Sequence, residues 1–293
     1  MTKLAYGCAA LATLLLGISP VAQAELEPIS DNRMGEVTGQ AFMNIENIPG
    51  NGVDYTRMTL GIDVETRVNI DDIQVGQIDG GTDFSAQHLA LGHIARNDGE
   101  TFNGVTYNKG EAIPFEARKP YIELAEDSAG LKGFRMGFAE ARGSVSSYTE
   151  SFSGALPGLK IRGDDGNLYD GALYAGAGLE ETSRRATYVG LKVSEGGDCA
   201  APTLCAPLTN LRSVIVGEDT GVEGNSAFTD AFFIGFQRDD MDWQSLDGAN
   251  TINAGKGVFI NLPVNMTVDM SKLAGEGVDR LRTHQVDMRN NLF

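Results

Sequence analysis

The chain has 293 residues, with 40 acidic and 23 basic side chains and a formal net charge of −17 at pH 7. Such a negative surface repels phosphate backbones and anionic headgroups, so the composition excludes nucleic acid as a partner and opposes binding to anionic membranes. The length is enough for one large β domain or two small ones.

Residues 1–24 have the pattern of an export signal. Lys3 supplies the positive start, a run of apolar and small residues follows, and residues 22–24 read Ala-Gln-Ala, a small-x-small cleavage pattern. A membrane anchor is the alternative, but the apolar run is shorter than the ~20 residues that a helical span requires. Cleavage leaves 293 − 24 = 269 residues from Glu25, with a net charge of −17 − 1 = −18. We expect the protein in the periplasm, at the outer membrane surface or outside the cell, without a membrane span.

A short motif follows the predicted cleavage site. Residues 30–40 read Ser-Asp-Asn-Arg-Met-Gly-Glu-Val-Thr-Gly-Gln, in which Ser30 or Asp31 can cap a helical turn and Gly39 can end it. This start resembles that of a group of exported proteins of Gram-negative bacteria, some of them labelled as components of pilus systems. The resemblance implies a role in the cell envelope and identifies no functional residue.

The clearest strand pattern lies between Met58 and Ile70, where apolar residues recur at every second position apart from Thr66. This alternation predicts a strand whose apolar face is buried and whose polar face is wet. The phase changes at Asp71 and Asp72, which predicts a tight turn or a bulge there.

A repeated pattern follows this strand. Residues 73–78 and 89–94 share the pattern apolar-x-apolar-Gly-x-Ile. Two such copies fit paired strands with a bend at each glycine, and they fit two rungs of a β-solenoid equally well.

From residue 102 onward, short β-rich runs alternate with turn signals such as Asn-Lys-Gly at residues 108–110. This spacing is typical of a sandwich, and no linker rich in Pro and Ser divides the chain. We therefore predict a single all-β domain over residues 25–270, an antiparallel β-sandwich or jelly-roll-like fold, with a β-solenoid as the alternative. Residues 271–293 form a C-terminal tail of mixed charge, which either supports self-assembly or folds back onto its own domain.

Two cysteines, Cys199 and Cys205, remain in the mature chain. They are separated by five residues in a loop rich in Gly and Pro, and exported proteins meet an oxidising compartment, so we expect a disulfide that clasps the loop. A metal site is the alternative, but the spacing does not match a zinc ribbon, and no histidine or third cysteine lies nearby in the sequence.

One acidic loop is a candidate metal site. Asp164, Asp165, Asn167 and Asp170 place four oxygen-bearing side chains within seven residues, and oxygen is the ligand that Ca²⁺ takes. The loop lacks the closing Glu of an EF-hand, so solvated turn residues are the alternative. Calcium is the one cofactor that the sequence suggests.

Other chemistry is weakly indicated. The acidic run 239–242 beside Trp243, the only Trp, predicts either a carbohydrate-facing patch, the paired carboxylates of a hydrolase, or a charged turn. His88 and His93 lie five residues apart, so on one strand they would point to opposite faces and could not share a metal ion. The sequence contains no Gly-x-Ser-x-Gly elbow and no glycine-rich phosphate loop.

These observations predict a non-enzymatic, exported structural or adhesion protein of the cell envelope or surface, within a pilus-like system. Its partners would be other envelope or surface proteins, including copies of itself. Two alternatives stay open: a secreted hydrolase of an envelope or extracellular polymer that uses the carboxylates near Trp243, and a Ca²⁺-dependent binding module built on the loop from Asp164 to Asp170. Two carboxylates converging in a cleft would favour the hydrolase.

Overall fold

The computed structural model describes residues 42–50, 52–78, 80–197, 199, 204–222 and 224–284. The predicted signal peptide, the motif at residues 30–40 and the end of the tail lie outside the described residues. In the described part of the chain, no helix is both long and apolar enough to cross a membrane.

Strands dominate the described chain, which confirms the predicted all-β class. In chain order they are β1 Met43–Pro49, β2 Asp54–Leu60, β3 Asp63–Thr66, β4 Val68–Ile78, β5 Gly81–Leu91, β6 His93–Ile94, β7 Glu100–Phe102, β8 Val105–Tyr107, β9 Ala112–Ile113, β10 Phe115–Asp127, β11 Gly130–Phe152, β12 Gly154–Ala155, β13 Leu159–Arg162, β14 Leu168–Tyr174, β15 Tyr188–Leu191, β16 Cys205–Pro207, β17 Ser213–Val216, β18 Glu218–Asp219, β19 Ser226–Ala227, β20 Phe233–Gln237, β21 Met241–Gln244, β22 Thr251–Ala254, β23 Gly257–Asn261 and β24 Met266–Asp269. A short helix, α1, spans Met270–Ala274 directly after β24.

The long strand β11 belongs to two layers. Its first half pairs with β10 and β20, and its second half pairs with β5 and β17. The change occurs at Gly143, whose φ is +141° and where a Cβ atom would lie 2.8 Å from the ring of Phe115. Glycine is therefore required at the point where the strand passes from one layer to the other.

We name these layers by their strands. The first sheet has the order β1-β2-β10-β11-β20-β23-β12, with β3 beside β10. The second sheet contains β4, β5, the second half of β11 and β17. A third sheet has the order β16-β15-β14-β13-β24.

Hydrophobic packing between these sheets forms the main core. The cluster includes Phe84 of β5, Ile161 of β13, Val189 of β15 and Ile260 of β23, so it draws on all three sheets. The packed layers give a sandwich-like fold. Most strand pairs are antiparallel, whereas β12–β23 and β13–β24 are parallel.

The two copies of the repeated pattern do not pair with each other: residues 73–78 of β4 pair with residues 81–86, and residues 89–91 of β5 pair with residues 68–70. They therefore lie in one antiparallel strand pair and not in successive rungs of a solenoid. Strand β4 runs unbroken through Asp71 and Asp72, so the predicted tight turn is wrong. The irregularity lies in the partner strand, where the φ of His88 is +51°.

The prediction of one buried apolar face between Met58 and Ile70 is also wrong for β2. In that strand Met58 is 40% exposed, whereas Arg57 is only 7% exposed. The hairpin formed by β21 and β22 supplies a cluster of apolar side chains that packs against Tyr55 and its neighbours on the Arg57 side. Burial therefore follows the position of this covering hairpin, not the polarity of β2.

A cavity of about 180 Å³, partly open to the surface, lies between the first and second sheets. Its walls include Ile234 and Ile260 from the first sheet, and Leu89 and Val145 from the second. The cavity lies within the main core, at the point where the two layers face each other.

The Cys199–Cys205 disulfide is present, with the two Cα atoms 5.1 Å apart, which confirms the predicted clasp. Both half-cystines are buried in a small cluster with Tyr174. The bond therefore ties Cys199 to the first residue of β16 in the third sheet.

The described part of the C-terminal tail, residues 271–284, lies against the body of the protein. The carbonyl of Arg282 accepts a hydrogen bond from the amide of Ile94 at 2.7 Å, and Arg280 donates to the carbonyl of His88 at 2.6 Å. These two arginines thus make contacts within their own chain. The boundary after residue 270 and the tail's role in assembly stay predictions.

Candidate functional site

The first sheet has two faces of opposite character. Along β10 the side chains from Tyr121 to Ala125 alternate between buried odd positions and exposed even positions, as the pleat of a strand requires. The pairing of β10 with β2 and β11 extends this alternation across the sheet. We name the two sides the covered face, with Tyr55, Arg57, Tyr121, Glu123 and Arg135, and the open face, with Ile45, Met58, Ile122 and Met136.

Aromatic side chains close the covered face. Trp243 of β21 is fully buried, and its ring centre lies 6.0 Å from that of Tyr55 and 6.4 Å from that of Phe233. Burial raises the pKa of Tyr121 to about 12, because the phenolate would lose its hydration there. The covered face is therefore a dry layer beneath the hairpin.

A charged group nevertheless lies in this dry layer. The carboxylate of Glu123 lies between two arginines, 2.6 Å from Nε of Arg57 and 2.8 Å from an Nη atom of Arg135. All three side chains are almost completely buried. Two cations meet one anion, so the group keeps an excess positive charge that needs further stabilisation.

Arg135 obtains that stabilisation from its surroundings. Its guanidinium carbon lies 4.9 Å from the ring centre of Phe233 and 5.0 Å from that of Trp243, distances at which a cation is attracted to the ring face. Its Nη2 atom also donates to the carbonyl of Gln244 at 2.6 Å. The covered face is thus a structural layer that ties β2, β10 and β11 to the hairpin.

The open face carries a row of aliphatic side chains. Ile45 pairs with Met58, Met58 with Ile122, and Ile122 with Met136, so the four residues stand side by side on neighbouring strands. Their exposed fractions are 56%, 40%, 48% and 42%. We name these four residues the aliphatic row.

The apolar area continues beyond the aliphatic row. Leu124 and Met43, on the same side of the sheet, are 38% and 41% exposed. With strands ~4.8 Å apart, the row alone spans about 14 Å. A contiguous exposed apolar patch of this kind is characteristic of an interaction site.

Two features make the open face suitable for contact. The aliphatic row contains no charged side chain, although the chain as a whole is strongly acidic. In addition, β1 is the terminal strand of the first sheet among the described strands, so one of its edges has no strand partner there. Such an edge offers backbone groups for pairing with another chain.

This site was not predicted from the sequence, although β10 contains a signal for it. Ile122 and Leu124 alternate with Tyr121, Glu123 and Ala125, so both sides of the strand carry apolar side chains. A strand with one wet face has polar residues on that side, and these two aliphatic residues break the rule.

The predicted calcium loop is exposed in the structure. The carboxylate of Asp165 accepts hydrogen bonds from Tyr169 at 2.6 Å and from the amide of Asn167 at 3.0 Å, and these bonds hold its pKa below the usual range. The carboxylate of Asp170 pairs with Lys160, which lowers the pKa of Asp170. Two of the proposed ligands therefore already have protein partners.

A metal-binding cluster is not evident in the rest of the described chain. Among the described residues, no group of three His, Cys, Asp or Glu side chains is arranged to hold a metal ion. The site proposed from Asp164 to Asp170 also uses Asn167, and it stays a prediction.

The acidic run beside Trp243 does not have the surroundings expected of a sugar-binding site. Trp243 is fully buried beneath the first sheet, so its ring cannot stack on a carbohydrate at the surface. Asp240 accepts a hydrogen bond from the amide of Lys256 at 2.7 Å, and Asp242 accepts one from Asn253 at 2.9 Å. Both carboxylates are exposed: Asp240 ties together the open end of the hairpin, and Asp242 bridges β21 and β22.

His88 and His93, which we did not expect to share a metal ion, lie in different surroundings. His93 is buried and its Nδ1 atom lies 2.8 Å from the hydroxyl oxygen of Ser144, whereas His88 is exposed. Burial lowers the pKa of His93, although the nearby carboxylate of Glu100 acts in the opposite direction. His93 is therefore a neutral core residue at neutral pH.

Residues 3–112 match the model of a protein family described as a family of unknown function (DUF6160). The match includes Ile45 and Met58 of the aliphatic row and ends before Ile122 and Met136. No curated protein and no solved structure matches this chain.

Proposed function

We propose that this chain is an exported structural or adhesion protein of the cell envelope or surface, and that it acts by assembling with copies of itself through the open face. The aliphatic row is the observation that carries the proposal, because a row of half-exposed aliphatic side chains gains stability only when it is covered. The export pattern of residues 1–24 and the Cys199–Cys205 disulfide support an oxidising location outside the cytoplasm.

The chemistry of the row indicates the kind of partner. Since the row carries no charge, a charged partner surface would lose hydration there without gaining an ion pair. A second copy offers an equally apolar row, and a two-fold axis brings each row onto itself. Contact at the uncharged part of the surface also keeps the acidic remainder of the two molecules apart.

A two-fold contact closes at a dimer, so a pilus-like filament needs a second contact. The free edge of β1 is the candidate for it, because edge strands can pair with a strand of another chain. Pro49 stands at the end of β1 and limits that pairing to residues 43–48, since proline has no amide hydrogen.

The proposal is tested by the substitution Ile122→Lys in the mature chain from Glu25. The side chain is 48% exposed, so the lysine ammonium can stay in water in the monomer but becomes desolvated in the dimer. We expect the dissociation constant of the dimer, measured by sedimentation, to rise at least about tenfold, the equivalent of ~1.4 kcal/mol.

The matched control is Leu168→Lys, because Leu168 is 53% exposed on β14 in the third sheet, away from the open face. This variant should associate like the unmodified protein. A chain that is monomeric at all concentrations, or equal weakening by the two substitutions, would remove the open face as the assembly surface.

The dependence of association on salt distinguishes this apolar contact from the electrostatic contact expected of the tail. An apolar contact between two acidic molecules becomes no weaker, and gains from screened repulsion, as ionic strength rises. A tail-mediated contact weakens under the same change. Sedimentation at low and at high salt therefore distinguishes the two modes of assembly.

A further inference from the structure

The cavity between the first and second sheets has walls of almost pure hydrocarbon. Apart from Ser147 and Thr149, every lining side chain is aliphatic or phenyl. The hydroxyl oxygens of these two residues lie 2.8 Å apart and one hydroxyl donates to the other, so each has a hydrogen-bond partner within the wall.

The composition of the cavity wall disfavours the binding of water and of charged ligands. A water molecule needs two to four polar partners to be stable in a buried site, and the walls offer only a hydroxyl pair that is already bonded. A charged ligand would lose its hydration without meeting a counter-charge among the lining residues. The suitable occupant is therefore an uncharged hydrocarbon group.

The volume sets the size of that occupant. The cavity measures about 180 Å³, and an engineered cavity of about 150 Å³ with similar walls in another protein binds benzene. We infer that the cavity is a binding site for a small uncharged hydrocarbon ligand, either a benzene-sized ring or a short alkyl chain. The site adjoins the end of the aliphatic row, because the lining residue Ile234 pairs with Met136, but it does not depend on the proposed assembly.

Strand β4 provides the entrance. Val68 and Ile70 line the cavity and are both half-exposed, and β4 pairs only with β5 among the described strands. A terminal strand opens locally at lower cost than a central one, because it breaks hydrogen bonds on one side alone. The ligand enters between β4 and the first sheet, where Ile234 forms the facing wall.

The first experiment uses toluene and n-hexane as probes with the full mature chain. A ligand that binds the folded state alone raises the melting temperature. We expect a rise with at least one probe, toluene indicating a ring site and n-hexane an alkyl site. Hexanoate, which carries a charge on a similar chain, should produce no rise.

The matched variants lie on one strand. Val68→Phe places a ring in the entrance, whereas Val75→Phe makes the same change at a half-exposed position of β4 that does not line the cavity. We expect Val68→Phe to weaken probe binding at least tenfold and Val75→Phe to leave it unchanged. An equal rise in melting temperature for both variants would overturn the proposal.

Methyl NMR of the unsubstituted protein gives an answer that does not depend on either variant folding. Saturable shifts under toluene or n-hexane should be confined to methyl groups of the cavity wall, such as those of Leu89, Val145 and Ile234. Shifts that are spread over the surface, or that fail to saturate up to the solubility limit of both probes, would contradict the site.

Discussion

The covered and open faces of the first sheet reverse the polarity that a soluble protein normally shows. The covered face buries Arg57, Glu123 and Arg135, whereas the open face exposes Ile122 and Met136 to solvent. The strands are the same, so the difference arises from what packs on each side. The covered face is completed by its own hairpin. On the open side, the second sheet packs near Ile234, beside Met136, whereas no element among the described residues buries the aliphatic row.

The largest expected effect comes from breaking the charged group of the covered face. Glu123→Leu leaves two buried guanidinium groups without their shared carboxylate, and breaking a buried ion pair in this way costs about 3–5 kcal/mol of unfolding free energy. Urea unfolding measures this loss. Glu180→Leu, at an exposed position outside the first sheet, is the control and should change stability by less than about 0.5 kcal/mol.

A triple substitution sharpens the same point. When Arg57→Met and Arg135→Met accompany Glu123→Leu, no charge is left unpaired, so the triple variant should be more stable than Glu123→Leu alone. A triple variant that is less stable than Glu123→Leu would mean that the arginines stabilise the fold through contacts other than Glu123, such as the hydrogen bond from Arg135 to Gln244.

A smaller effect concerns His93, a buried polar group outside both faces. Its folded-state pKa lies below the ordinary value of 6.5 because burial disfavours the imidazolium. At a pH between the two pKa values of His93, the unfolded chain binds more protons than the folded chain. The contribution of His93 to the unfolding free energy is therefore fully present above pH 6.5. It is lost as the pH falls from the unfolded-state pKa towards the lower folded-state pKa.

Urea midpoints between about pH 5 and pH 7.5 test this linkage. The His93→Gln variant removes the titrating group and retains a side chain able to hydrogen-bond with Ser144. We expect a flatter pH dependence for the variant than for the unmodified protein. Parallel curves would show that the pH dependence in this range belongs to other groups.

The smallest expected effect on stability comes from the open face. Met136→Lys changes a side chain that is 42% exposed, so the unfolding free energy of the monomer should change by less than about 0.5 kcal/mol. The difference between the losses of unfolding free energy for Met136→Lys and for Glu123→Leu measures how differently the two faces contribute to stability. A loss of several kcal/mol for Met136→Lys would mean that the row is already covered within the monomer.

The sequence predicted the strands of this fold well, because alternation with a period of two is a local property of the backbone. It predicted the Cys199–Cys205 bond for a similar reason, since the two residues are close in the chain. Which face of β2 is buried is not a local property. The covering side chain Trp243 lies far along the chain, so the polarity of Met58 and Arg57 pointed to the wrong face.

The predicted sites show the same limit. The loop from Asp164 to Asp170 was recognised as acidic, but the partners that hold its carboxylates, Tyr169 and Lys160, are set by the turn and by the pairing of β13 with β14. The aliphatic row was not predicted at all. Its members come from four strands and meet only through sheet register, which single strands do not encode.

Cross-linking between copies tests the central claim most directly, namely that the open face is where two molecules meet. The mature chain would carry Ile122→Cys, with Leu168→Cys as the control, because both positions are similarly exposed and lie on different sheets. A two-fold contact of row on row brings residue 122 of one copy close to residue 122 of the other. We predict a disulfide-linked dimer under mild oxidation for Ile122→Cys and almost none for Leu168→Cys. Equal dimer yields from the two variants, or no dimer from Ile122→Cys at concentrations where the protein associates, would contradict the account.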